Sequence, residues 1–202
     1  MIELKNIKKS FNSGYPILDD ISMIIEEGDL IRITGSNGCG KSKLLKIMCG
    51  LIKPDFGVIT YEKYQNEIGA IIENPTFIEN DTILYNLRFL YNLKNKFNEE
   101  RVKSLCQQFD LDLYNKTVMK KYSVGMRQKV GFIQAIMEDQ KIIYLDEPTR
   151  GMDEKSVNQF YNMISQLHSE NKTIIICTHE KLEGIHFQKE YEIKNGSIFK
   201  KI

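Results

Sequence analysis

The chain has 202 residues, enough for one domain or for one domain carrying an inserted subdomain. Hydrophobic residues make up 42% of it, as in globular proteins that bury a core, and 28 Lys+Arg against 27 Asp+Glu leave a formal charge of only +1, which argues against a dedicated nucleic-acid binder, though not against a local basic patch, and no nucleic-acid partner is expected. Cys39, Cys49, Cys106 and Cys177 form no CxxC pair, the first residues carry no signal-peptide core, and no apolar run approaches the ~18 residues of a membrane span, which points to reduced thiols in cytosol and to any membrane attachment running through another chain.

Taken in chain order, Ile2, Leu4 and Ile7, then Ile17 to Ile25, are expected as antiparallel strands ahead of the main sheet. Ile31–Thr34 reads as a strand running into Gly35-Ser36-Asn37-Gly38-Cys39-Gly40-Lys41-Ser42, which fits G-x-x-x-x-G-K-[ST]. Glycines at these positions let the backbone curl so that successive N–H groups face phosphate oxygens. The helix that follows, Lys41 to about Cys49 with Gly50 as its stop, aims its positive end at the same place. Lys41 is expected to reach the β- and γ-phosphates, Ser42 to bind Mg²⁺, and Lys43 to belong to the same segment. A strand before the loop and an amphipathic helix after it favour nucleotide phosphate over a chance glycine-rich turn.

Ile68–Ile72 is a further strand, followed by Asn74-Pro75. From about residue 74 to 136 the pattern turns helical, with helices expected over Thr82–Tyr91, Glu99–Phe109 and Val124–Glu138. This block interrupts an α/β pattern. The chain therefore reads as a single domain, 1–202, whose α/β core (1–73 and 137–202) carries a helical subdomain at about 74–136. Ile142–Leu145 and Thr173–Cys177 are continuously apolar, as buried parallel strands are. Between them Val157, Phe160, Ile164 and Leu167 recur at helical spacing behind Asp153 as N-cap, completing a βαβ unit. Asp146 and Glu147 end the first of these strands, at the edge where parallel sheets bind ligands. Asp146 suits Mg²⁺, and Glu147, pointing another way, could polarise an attacking water. The tail from Glu190 suggests two short strands around Asn195-Gly196.

Tyr122-Ser123-Val124-Gly125-Met126-Arg127-Gln128-Lys129 resembles the signature segment of ABC (ATP-binding cassette) ATPases, usually written LSGGQ. Asp146-Glu147-Pro148-Thr149-Arg150-Gly151-Met152-Asp153 resembles that family's Walker B and D-loop run, Thr178-His179-Glu180 its switch-histidine region, and Phe11 its adenine-stacking aromatic. The motifs follow the family's order from Phe11 to His179, and as a set they are specific. The resemblance implies a RecA-like phosphate-loop NTPase core with an N-terminal antiparallel β region and an inserted α-helical subdomain, hydrolysing ATP with Mg²⁺. It implies that ATP on one subunit's phosphate loop is covered by Ser123, Val124, Gly125 and Met126 of a second ABC subunit, identical or different. Asp153 would couple the two sites, and His179 would hold the γ-phosphate and orient the water. Tyr15 rivals Phe11 as the adenine platform, and burial in the core is the alternative for Phe11. Ser123 also reads simply as a helix N-cap.

Two departures stand out. Glu73 occupies the position of a glutamine that coordinates Mg²⁺ or the water; it is either a catalytic metal ligand or a solvated loop residue. Val124 and Met126 replace the usual Gly and Gln. Together these features resemble the bacitracin- and lantibiotic-resistance branch, which implies export of a peptide or antibiotic-like compound through a separate transmembrane permease. The chain would sit on the cytoplasmic face of the membrane and contact that permease near Phe77–Tyr91. A soluble single-cassette ATPase in cofactor assembly is the alternative; a non-catalytic regulatory subunit is disfavoured by Glu147 and His179.

Overall fold

The computed structural model describes residues 1–10 and 16–201. Its main sheet has six strands in the order β5-β6-β7-β3-β8-β9: β3 (Leu30–Thr34), β5 (Ile68–Ile71), β6 (Ile142–Asp146), β7 (Thr173–Cys177), β8 (Lys189–Lys194) and β9 (Ser197–Lys200). The pairings from β5 through β8 are parallel, and only β9 returns antiparallel, across Asn195 and Gly196, both at positive φ. That geometry is the type I′ turn that an Asn-Gly pair favours.

Alternation along β6 explains why its sequence is apolar at every position. Ile142 and Tyr144 pack on one side of the sheet, with β1 (Ile2–Ser10), β2 (Pro16–Ile25) and α1 (Lys41–Met48). Ile143 and Leu145 pack on the other, with α2 (Ile83–Tyr91), α3 (Glu99–Gln108), α4 (Val124–Ile136) and α5 (Glu154–Ser169). A strand covered on both faces has no solvent side on which to place polar residues.

β1 pairs antiparallel with β2, Ile2 opposite Ile25 and Leu4 opposite Met23, as expected. It also pairs with a strand that the sequence reading lacks, β4 (Phe56–Tyr61). Phe56, Gly57 and Val58 are all exposed, so β4 shows no inward stripe. Helices α2 to α5 begin at side-chain caps: Thr82, Asn98, Ser123 and Asp153 each accept a bond from the backbone N–H three residues on. Thr82 is thus the cap rather than the first helical residue, α3 stops at Gln108, and α4 stops at Ile136, two residues short of expectation. The strand over Ile68 ends at Ile71, one residue early, because Glu73 turns the chain with a φ of 63°. Helices α2, α3 and α4 all lie between β5 and β6 in the chain.

Candidate active site

β6, β7 and β3 lie side by side and parallel, so the loops leaving their C-terminal ends open on one edge of the sheet. The loop after β3 carries Gly35, Gly38 and Gly40 at φ of 150°, 80° and 111°, values that L side chains rarely adopt, and it curls so that Cys39 N donates to Ser36 O at 3.2 Å. No side chain caps α1; its N-cap is Gly40, which leaves the first helical N–H groups to be met from outside the chain. Lys41 is buried, and its Nζ donates to Gly35 O at 2.7 Å and Ser36 O at 3.3 Å, arching over its own loop. A cleft of about 430 Å³ opens here, with Asn37, Gly38, Gly40, Lys41, Ser42 and Lys43 on one wall.

Asp146 and Glu147 stand at the end of β6 on the same cleft, and their surroundings separate their roles. Asp146 is buried, and that burial pushes its carboxyl above the usual range; a hydrogen bond from Ser42 and one from Glu73 N (3.3 Å) pull the other way. A serine hydroxyl against a poorly solvated carboxylate is a hard oxygen donor pair, and it fits Mg²⁺ held by few protein ligands alongside substrate phosphates. Among the described residues no cluster of three or more His, Cys, Asp or Glu could hold a metal by itself, so protein ligands here would have to be shared with substrate and water.

Glu147 turns away from Asp146. Its φ is 45°, and its backbone N donates to Cys177 O across to β7. Its Oε2 accepts from Thr178 Oγ1 at 2.9 Å, and its Oε1 accepts from His179 N at 3.2 Å and lies 2.8 Å from His179 Nδ1. The structure thus joins two residues that sit 31 and 32 positions further along the chain to a single carboxylate.

Glu73 is placed differently from a metal ligand. Its backbone, not its carboxylate, meets Asp146. The carboxylate Oε1 lies 2.7 Å from Lys46 Nζ and 3.9 Å from Lys43 Nζ, and the Lys46 hydrogen bond holds it below the usual carboxylate range. Phe11 and Tyr15 fall outside the described residues.

The signature residues Ser123, Val124, Gly125 and Met126 do not line the cleft of their own chain. Ser123 Oγ accepts from Met126 N at 3.2 Å while the residue stays exposed, and Val124 is 58% exposed. Gly125 is buried against the loop after Glu147: a Cβ there would run into the Gly151 carbonyl, and a Cβ on Gly151 would sit 3.0 Å from Val124 Cγ1. The loop ends at Asp153, whose carboxylate caps α5 through Ser156 N at 2.8 Å. Ile17, Asn74, Gln128 and Arg150, which the motifs did not single out, also face the cleft. Gln128 Nε2 donates to Glu147 O at 3.2 Å, and Arg150 Nη1 reaches Asn74 Oδ1 at 3.3 Å across the opening. Gln128 and Arg150 lie inside the two motif runs, where their polar character was the available signal; Asn74 carried none.

Residues 18–150 match the family model described as ABC transporter. The chain is 34% identical over 189 residues to the ABC transporter ATP-binding protein YdbJ of Bacillus subtilis, covering 89% of this chain and 61% of that one. It is 33% identical to YybJ of the same organism (90% and 86%) and 30% identical to the lantibiotic transport ATP-binding protein SrtF of Streptococcus pyogenes (92% and 83%). It spans only about six tenths of the length of YdbJ and of a second B. subtilis relative, YhcH. A bacterial ABC transporter cassette solved as a dimer superposes with a TM-score of 0.87 at 24% identity, over 98% of this chain and 96% of that one. The expected fold class therefore holds, and the chain belongs to the ABC transporter family as an ATP-binding domain.

Proposed function

We propose that the chain binds and hydrolyses ATP with Mg²⁺ and so drives a transporter whose membrane-spanning part is a separate permease. The observation that carries this is the convergence, on the ends of three neighbouring strands, of a phosphate loop with Lys41, a buried Asp146 beside Ser42, and Glu147 paired with His179. The loop amides and Lys41 receive the phosphates, Lys41 exchanging its two backbone carbonyls for phosphate oxygens. Ser42 and Asp146 would hold Mg²⁺, which neutralises developing phosphate charge when bound. Glu147 polarises the attacking water, and His179 fixes the carboxylate and supplies a donor toward the γ-phosphate.

Ser123, Val124, Gly125 and Met126 serve a nucleotide on a second subunit: Ser123, Val124 and Met126 are exposed, all four lie off their own cleft, and they stand at a helix N-terminus that suits an anion. Asp153, at the far end of the loop packed on Gly125, couples the two half-sites. A ring-stacking role for Phe11 completes the nucleotide contacts. The division into an α/β core and a mobile-in-function helical block (about 74–136) gives the γ-phosphate two bodies to draw together.

The cargo reading is export of a peptide or antibiotic-like compound, supported by the similarity to a lantibiotic transport ATP-binding protein and by the Glu73 and Ser123–Met126 departures. Among the described residues no helix is long and apolar enough to cross a membrane; in this reading a separate permease supplies the span, with the chain on its cytoplasmic face. Tyr85 and Phe89, stacked at 6.4 Å and about half exposed on α2, form the apolar face offered to it. Co-expression with the product of a neighbouring gene bearing several apolar spans should carry the chain into the membrane fraction. Recovery only with non-membrane partners would replace transport by a role in cofactor assembly.

A further inference from the structure

The carboxylate of Glu73 has two places to be, and the structure shows one of them. Glu73 N donates to Asp146 Oδ2 at 3.3 Å, so the residue's backbone is already anchored at the candidate metal position. Its side chain leaves that position and ends on Lys46, with Nζ–Oε1 at 2.7 Å and Lys43 Nζ at 3.9 Å from the same oxygen. Ser42 and Lys46 are four residues apart on α1, hence on one face of the helix, one turn (~5.4 Å) from each other along its axis. Glu73 is therefore parked about one helical turn below the Ser42 hydroxyl. Both lysines are largely covered, at 33% and 23% side-chain exposure, while the Glu73 side chain is 52% exposed, so fixed cations hold a carboxylate that still meets solvent. The backbone pays a conformational cost to stay there, since Glu73 is a non-glycine residue at φ 63°.

We propose that Lys46, assisted by Lys43, is a positioning residue: it latches Glu73 away from the metal position in the nucleotide-free chain, and loading of the site hands the carboxylate from lysine to the cation by side-chain rotation alone. The inference rests on the nucleotide reading of the site, and it adds a competition that reading does not contain. Lys46 and the cation bid for one carboxylate, so the latch sets how much Mg²⁺ the site needs. Release of Glu73 also removes one of the ties on the segment that runs through Asn74 toward α2. The Arg150–Asn74 bond, which comes from the loop that packs on the signature glycine, stays in place, as does the Glu73 N–Asp146 bond. Occupancy of the site would thus be felt at α2 through the loss of a salt bridge.

The test compares Lys46→Met, which keeps the aliphatic stem, Lys46→Arg and Glu73→Gln, singly and with Lys46→Met combined with Glu73→Gln. Hydrogen exchange of residues 72–78 is measured without nucleotide, and the Mg²⁺ concentration for half-maximal binding of a fluorescent ATP analogue is measured with it. Lys46→Met should speed exchange in that segment and lower the Mg²⁺ requirement about two- to fivefold, the scale of a half-exposed ion pair. Lys46→Arg should restore both, and in the Glu73→Gln background Lys46→Met should change neither. An equal shift with glutamate or glutamine at position 73, or unchanged exchange in Lys46→Met, overturns the latch. If Lys46→Met does not fold, Glu73→Gln alone must reproduce the faster exchange, and its failure to do so is equally decisive. If the unaltered chain binds no nucleotide, the functional reading fails, and the exchange comparison still decides the latch by itself.

Discussion

Gly125→Ala offers a sharp test of the contact between the signature segment and the loop after Glu147. The added methyl meets the backbone carbonyl of Gly151, which cannot rotate aside as a flexible side chain could. Forcing a methyl into a closed contact costs about 1–3 kcal/mol, and a backbone neighbour argues for the upper end. Alanine in the first turn of α4 recovers up to about 1 kcal/mol of helix propensity. The net loss is then about 2 kcal/mol, which at a urea m-value of about 3 kcal/mol/M lowers the unfolding midpoint by roughly 0.7 M. Urea denaturation followed by circular dichroism measures it. Nucleotide affinity of the single subunit should change little, because Gly125 does not line its own cleft, while hydrolysis should fall sharply. A midpoint equal to or above that of the unaltered chain would show that the Gly151 loop yields freely and that the two motifs are not mechanically joined.

Glu147→Gln keeps the shape of the carboxylate but cannot take a proton; it should cut phosphate release about 100-fold or more and accumulate a MgATP-bound dimer on size-exclusion chromatography. Normal turnover in that variant would remove Glu147 as the base. Asp146→Asn removes a charge that burial penalises, so the nucleotide-free chain should melt higher, by about 2–4 °C for each kcal/mol relieved, while Mg²⁺-dependent ATP binding is lost; a lower melting temperature would refute the desolvation argument. Asp139 works in the opposite sense. Burial is the largest single influence and disfavours its charge, but the bond to Lys172 (2.6 Å) and the charges of Lys172, Lys141 and Arg101 together hold its carboxyl below the usual range. The unfolded chain therefore binds the proton more tightly, so this contribution is complete above an ordinary aspartate pKa of about 4 and fades as pH falls through the lowered value. Asp139→Asn should cost roughly 0.5–1 kcal/mol at neutral pH, because the Asp139 side chain is 53% exposed and Lys172 keeps its bond to the Asp139 carbonyl (3.0 Å), and should flatten the acid limb of a stability–pH curve measured by chemical denaturation.

What could be read from the residues was what depends on local pattern. The phosphate loop, the acidic end of β6, and the caps Ser123 and Asp153 follow from spacing and residue type, and the strands buried on both faces from their unbroken apolar runs. β4 escaped because its pairing with β1 leaves Phe56, Gly57 and Val58 facing solvent, so no alternation marks it. The fate of Lys41 and Glu73 was hidden for another reason. Without phosphate Lys41 has two carbonyls of its own loop within reach, and Glu73 has a lysine 27 residues earlier; both depend on which groups the fold sets side by side. Gln128 and Arg150 sit inside motif runs, yet that they reach Glu147 O and Asn74 depends on tertiary placement, 19 and 76 residues away along the chain.

The hydroxyl of Ser123 holds two jobs without conflict. Its oxygen lends a lone pair to Met126 N, and a hydroxyl keeps one proton to give away after doing so. The helix consumes only the acceptor, and in the proposed dimer the proton is left for an oxyanion on the second subunit. Aspartate would cap as well as serine, but it has no proton to offer and would meet that anion with like charge. Folding alone would tolerate several residues at this position; an anion on a second subunit, as proposed, would favour a hydroxyl.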